Sequence, residues 1–186
     1  MTVNTTKTES SENPPPHLAI LGETLRVCCV EMMADYGLEA RTSEGQAPPD
    51  APVSVLVAGV DFRGRALRGT VAFWAAKEVI MRTAQAAPGL QIDASDLPDW
   101  TCELANQLLG RVKNKLRAYD VSLSINVPRI IAGQEVSDLD DGLRYRFSCD
   151  FGTLSACLDV LTAPGFVLEK REQDEPLAQE GDFTLF

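Results

Sequence analysis

Apolar residues at Ala105, Leu108, Leu109, Val112, Leu116 and Tyr119 recur at the three- and four-residue steps that put them on one side of a helix. The opposite side carries Glu103, Gln107, Gly110, Asn114 and Arg117, flanked by Asn106. The segment opens at Asp96-Leu97-Pro98-Asp99: a capping Asp, a Pro in the first turn, and acids near the positive dipole end. It runs to about Ala118. A second helix is predicted over Leu18–Tyr36, where Leu18, Leu21, Leu25, Cys28, Met32 and Tyr36 form the stripe and Gly37 ends it as a left-handed cap. A third covers Ala75–Ala87 and closes at Pro88-Gly89.

Period two predicts the strands. Leu38–Ser43 reads as a short one, and Glu44–Pro52 as a Pro- and Gly-bearing loop. Val53–Asp61 and Ala66–Trp74 form a pair joined across Phe62–Arg65, where Gly64 is expected to supply a positive φ. Val121, Leu123, Ile125 and Val127 alternate with Ser122, Ser124 and Asn126, and Pro128 then implies an edge or a bulge. Leu143–Cys149 and Thr153–Leu161 make a last pair, turning near Asp150–Gly152. A helix followed by three strands thus occurs twice, without a sequence repeat. Hairpins require antiparallel pairs, so the pattern predicts an α/β (α+β) fold: a mainly antiparallel sheet of about six strands with long helices packed on it.

Composition narrows the picture. A chain of 186 residues with 45% apolar and 24% charged residues suits one globular core, expected over 17–165. Residues 1–16 are polar and Pro-rich and are expected to be a disordered tail; 166–186 read as an acidic, mobile tail. No apolar run of about 18 residues exists, so no membrane span is expected. A net charge of −10 argues against nucleic acid as a partner. Five cysteines without a C-x-x-C, and a single histidine, His17, assemble no zinc-ligand spacing. The cysteines read as small buried residues of a cytoplasmic protein.

Few residues are candidates for chemistry. Gly59, Gly64 and Gly69 lack the Lys-Ser/Thr of a phosphate loop and read as hairpin and bulge glycines. Asp138, Asp140 and Asp141 sit with Gly142 in a turn, short of a calcium loop. No Ser-His or Cys-His nucleophile follows from one histidine, which is expected to sit in the N-terminal tail. Glu103 and Asn106 differ: a carboxylate and a carboxamide three residues apart are neighbours on one helix face. Gly110 lies further along that side, where glycine costs the helix about 1 kcal/mol and leaves room for another surface.

The stretch Glu103-Leu104-Ala105-Asn106, with Gly110, Lys113 and the run Pro128-Arg129-Ile130-Ile131-Ala132-Gly133, resembles the CheX-like branch of the chemotaxis phosphatases, the family that also contains CheC. Val55–Trp74 looks like the family's hairpin, and the likeness in organisation covers Leu18–Ala163. Arg111 stands where members often have Asn. The resemblance implies hydrolysis of the aspartyl-phosphate of a CheY-like response regulator in chemotaxis or two-component signalling. It implies Glu103 and Asn106 as catalytic residues, and Gln107, Gly110 and Asn114 as docking residues. No cofactor is expected on this chain; Mg²⁺ is expected on the partner regulator. CheC-type members can carry a Glu-x-x-Asn pair on each of two related helices. Here Glu23 is followed by Arg26 and Glu31 by Ala34, so one site is expected. Two other classes stay open: a module that binds a regulator without hydrolysis, and a subunit that forms a homodimer through a strand edge.

Overall fold

The computed structural model describes residues 15–43, 55–89, 92–131 and 142–170. Helix α1 spans Pro16–Asp35 and is followed by β1 (Arg41–Thr42), β2 (Val55–Gly64) and β3 (Leu67–Ala76). Helices α2 (Lys77–Ala86) and α3 (Leu97–Leu116) come next, and α3 ends in a 3-10 turn over Arg117–Tyr119. Strands β4 (Leu123–Ile125), β5 (Arg129–Ile130), β6 (Leu143–Cys149) and β7 (Gly152–Thr162) complete the order.

The two helix-plus-strands units interlock in one sheet. Its order is β1-β6-β7-β3-β2-β4, with β5 also on β2, and every pairing is antiparallel. β3 and β7 meet in the middle, and the short strand of each unit lies on the outer flank of the other unit's hairpin. The expected duplication is therefore an exchange. The sheet has seven strands because the 121–131 segment is broken as Pro128 demanded. Ile125 faces Phe62 while Arg129 faces Gly59, so 126–128 oppose only 60 and 61, a one-residue bulge on an edge. Val127 at that bulge is 85% exposed.

Alternation decides the layers. Val71, Phe73 and Ala75 of β3 join Val60, Phe62, Leu154, Ala156 and Phe147 in the core that all three helices cover. The stripes Leu21, Leu25, Cys28, Met32 of α1 and Leu104, Leu108, Leu109, Val112 of α3 close it. On the other face Ala72, Cys157 and Ile131 form a smaller cluster with Val57 and Trp74. A Cβ at Gly59 would lie 2.3 Å from the Ile131 Cδ1, so Gly59 is the notch over which Ile131 crosses.

Two local expectations need correction. Gly64 does not have positive φ; among the described residues the glycines that do are Gly37, Gly89, Gly152 and Gly165. The hairpin turns at Arg65-Ala66 instead, and Gly64 stays in β2 opposite Leu123 because a Cβ there would stand 2.9 Å from the Ser122 carbonyl. Asp96 occupies the N-cap of α3 but makes no side-chain cap bond; its carboxylate accepts from the Asp93 amide. Gly37 does end α1 with φ of 70°. His17 lies within α1, its ring edge-on to Phe166, and Leu168 is buried in the core. The acidic turn 138–141 and residues 171–186 lie outside the described residues.

Candidate functional site

Helix α3 is seated from three directions, and its half-exposed face follows from that seating. Leu104, Ala105, Leu108 and Leu109 are fully buried, which turns Glu103, Asn106, Gln107 and Gly110 outward to partial exposure and leaves Asn114 exposed. At its first turn the Trp100 indole N–H donates to the Thr83 hydroxyl of α2 at 2.8 Å, and that hydroxyl donates to the Ile80 carbonyl. The Trp100 ring stands edge-on to Tyr36, centroids 5.9 Å apart, where α1 ends. Further along, Arg111 pairs with Asp35 and Lys115 with Glu31, which fixes α1 antiparallel to α3. Arg111 also sets a positive charge at the C-terminal, negative end of the α1 dipole.

The candidate residues differ in what holds them. The Glu103 Oε1 accepts from the Gln107 side-chain amide at 2.9 Å, and the Gln107 Oε1 accepts from the Tyr36 hydroxyl at 2.7 Å. The Asn106 carboxamide makes no hydrogen bond to the described residues, and since among these no buried side-chain polar atom lacks a partner it is open to water. A Cβ at Gly110 would meet nothing within 4 Å, so no packing among the described residues asks for glycine there. Burial pushes the Tyr36 hydroxyl above its ordinary pKa and the Glu103 charge adds to this, against the lowering effect of the Gln107 bond. Cys102 beside Glu103 is also pushed up, by burial and then by the Asp99 charge, which suits an unreactive thiol.

The arrangement thus brings together Glu103, Asn106 and Gly110 on one open face and leaves Asn114 further down it. It ties Gln107, on the same face, between Tyr36 and Glu103. Periodicity had placed Tyr36 in the core stripe of α1, and nothing in the local sequence pairs it with a residue 71 positions later. Arg111 is committed to Asp35 and is only 19% exposed in its side chain. Among the described residues no three His, Cys, Asp or Glu side chains converge to hold a metal, and no helix is long and apolar enough to cross a membrane.

No curated protein matches this sequence. Solved structures share its fold. The chemotaxis protein CheX from Vibrio vulnificus aligns with a TM-score of 0.60 at 14% identity, over 76% of this chain and 96% of that one. CheX from Desulfovibrio desulfuricans gives 0.57 at 13%, over 76% and 99%. The CheX chain in a CheX–CheY–BeF3–Mg²⁺ complex from Borrelia burgdorferi gives 0.55 at 15%, over 74% and 96%. The sequence model of the family described as chemotaxis phosphatase CheX matches residues 56–151, more than half of the chain, from β2 through all of α3 to the turn before β7. That match makes the chain a member of the CheX family of chemotaxis phosphatases.

Proposed function

We propose that the protein hydrolyses the aspartyl-phosphate of a CheY-like response regulator and that Glu103 and Asn106 do its part of the work. One observation carries the reading: an unengaged carboxamide beside an anchored carboxylate, on a helix face whose next turn is cleared at Gly110. The CheX–CheY complex of Borrelia burgdorferi supports the choice of partner.

Phosphoryl transfer to water needs in-line placement and charge neutralisation more than covalent chemistry from the protein. In this reading the regulator brings its own Mg²⁺ and active-site lysine, which neutralise charge on the phosphoryl oxygens. Asn106 is no general base, but its carboxamide both accepts from and donates to one water, which fixes the line of attack. The water oxygen bonds to phosphorus as the bond from phosphorus to the aspartyl oxygen breaks. The electron pair stays on the regulator's carboxylate, and the water's protons leave with phosphate and solvent. Glu103 is anionic and acts as the docking partner of the regulator's lysine in a charge-assisted contact. Gly110 and Asn114 lie under the docked regulator.

The test is the decay of a ³²P-labelled regulator with and without the protein. Acceleration that disappears with Asn106→Ala is the expected result. A regulator whose decay is untouched by the parent protein overturns the reading.

A further inference from the structure

We infer that Tyr36 and Gln107 are positioning residues that hold the Glu103 carboxylate ready for the incoming regulator, an assignment that rests on the function proposed above. The direction of the relay is fixed by chemistry. An ionised carboxylate only accepts, so Gln107 must turn its NH₂ group to Glu103, which leaves its carbonyl oxygen for Tyr36 to donate to. Tyr36 can only donate while it keeps its proton, which a tyrosine does at neutral pH, and burial first of all pushes its pKa further up. Tyr36 is itself clamped, edge-on against Trp100, whose indole is tied to Thr83 of α2. A chain of contacts thus runs from α2 through α3 to the end of α1 and back to one oxygen of Glu103.

The consequence is a pre-set rotamer. Glu103 has Asn106 and Gln107 on its two C-terminal sides, one turn on. The bond to Gln107 draws the carboxylate to that side, occupies Oε1, and leaves Oε2 and the Asn106 carboxamide unencumbered. Without the relay, Glu103 would sample other rotamers, and ordering it would fall on the binding step. Helix α1 thereby contributes to a site that lies on α3, through its C-cap residue and not through a second Glu-x-x-Asn pair.

Tyr36→Phe keeps the ring and its packing on Trp100 and removes only the donor, and Gln107→Met keeps the length and removes both bonds. Each is expected to weaken binding of the beryllofluoride-treated regulator, measured by calorimetry, by about five-fold, with kcat within about two-fold of the parent. In a Glu103→Ala background, Tyr36→Phe should have no further effect on the dissociation constant, which a merely structural tyrosine would not satisfy. The Gln107 side-chain amide resonances should shift in both Tyr36→Phe and Glu103→Ala, a readout that needs no regulator. An unmoved amide signal overturns the relay, and an equal loss of binding with and without Glu103 overturns its role. A parent protein that neither binds nor dephosphorylates the regulator overturns the phosphatase reading and the positioning role with it, while the amide signature stands.

Discussion

Asn106 and Glu103 are three residues apart yet held in opposite ways, and the difference assigns different losses to their removal. Asn106 makes no hydrogen bond to a described residue and is partly exposed, so Asn106→Ala should shift stability by no more than about 0.5 kcal/mol. Misplacing the attacking water should nonetheless slow turnover by about 100-fold. Urea unfolding and single-turnover decay on the same preparation check both parts, and near-normal turnover by a folded variant would remove Asn106 from the chemistry. Gly110 makes the complementary case. With open space where its Cβ would go, Gly110→Gln should raise helix stability by a few tenths to about 1 kcal/mol. It should weaken regulator binding while leaving kcat little changed, the reverse of Asn106→Ala. Parent-like kinetics over a range of regulator concentrations would mean the partner does not use this face. The Glu103, Asn106 and Gly110 pattern was legible because helical spacing is local. The bond between Gln107 and Tyr36 was not, since Tyr36 comes from another element and no short-range rule connects them.

Among the elements, α1 and α3 are counterparts in the two interlocked units, and of the two α3 alone carries a Glu-x-x-Asn pair. The acids of α1 that could anchor a second one are already engaged: Glu23 with Arg26 on its own helix, and Glu31 with Lys115 of α3. Arg26 stands at the position a carboxamide would need, and Ala34 stands there for Glu31. Calorimetric titration with beryllofluoride-treated regulator should therefore saturate at one regulator per chain; two equivalent sites per chain would contradict this. The helices, both hairpins and the break at Pro128 could be read from the sequence because each depends on spacing, a stop residue or a missing N–H within a few positions. The pairing of β1 with β6, about a hundred residues apart, could not. Gly64 shows the same limit on a smaller scale: a hairpin glycine suggests a turn φ, but here its lack of a Cβ serves the neighbouring β4 segment.

At the scale of the whole molecule the core carries its own titration. Cys29 is completely buried in α1 beside Cys28, and burial, then the neighbouring thiol, pushes its pKa far up. Tyr36 and Tyr145 are also raised, in both cases by burial first. The sign follows from linkage. A group whose folded pKa lies above its unfolded value is held neutral by the fold, so its stabilising effect is complete below the unfolded pKa and is lost as pH rises toward the folded one. Unfolded cysteine titrates near about 8.5 and tyrosine near about 10. Stability should thus hold from neutrality to about pH 8 and then fall, first through Cys29 at up to about 1.4 kcal/mol per pH unit, with Cys102 adding in the same window, and then through the tyrosines beyond pH 10. The net charge of −10 works in the same direction, because each further ionisation adds to an existing excess of negative charge. Urea midpoints at pH 7, 9 and 10.5 measure the curve, and Cys29→Ala separates the causes. That variant trades a small cavity cost at pH 7 for a flatter decline between pH 8.5 and 10, since the buried thiol no longer resists ionisation. A midpoint in the parent that stays constant to pH 10.5 would show that the thiol reaches solvent without unfolding of α1, contrary to its place in the core.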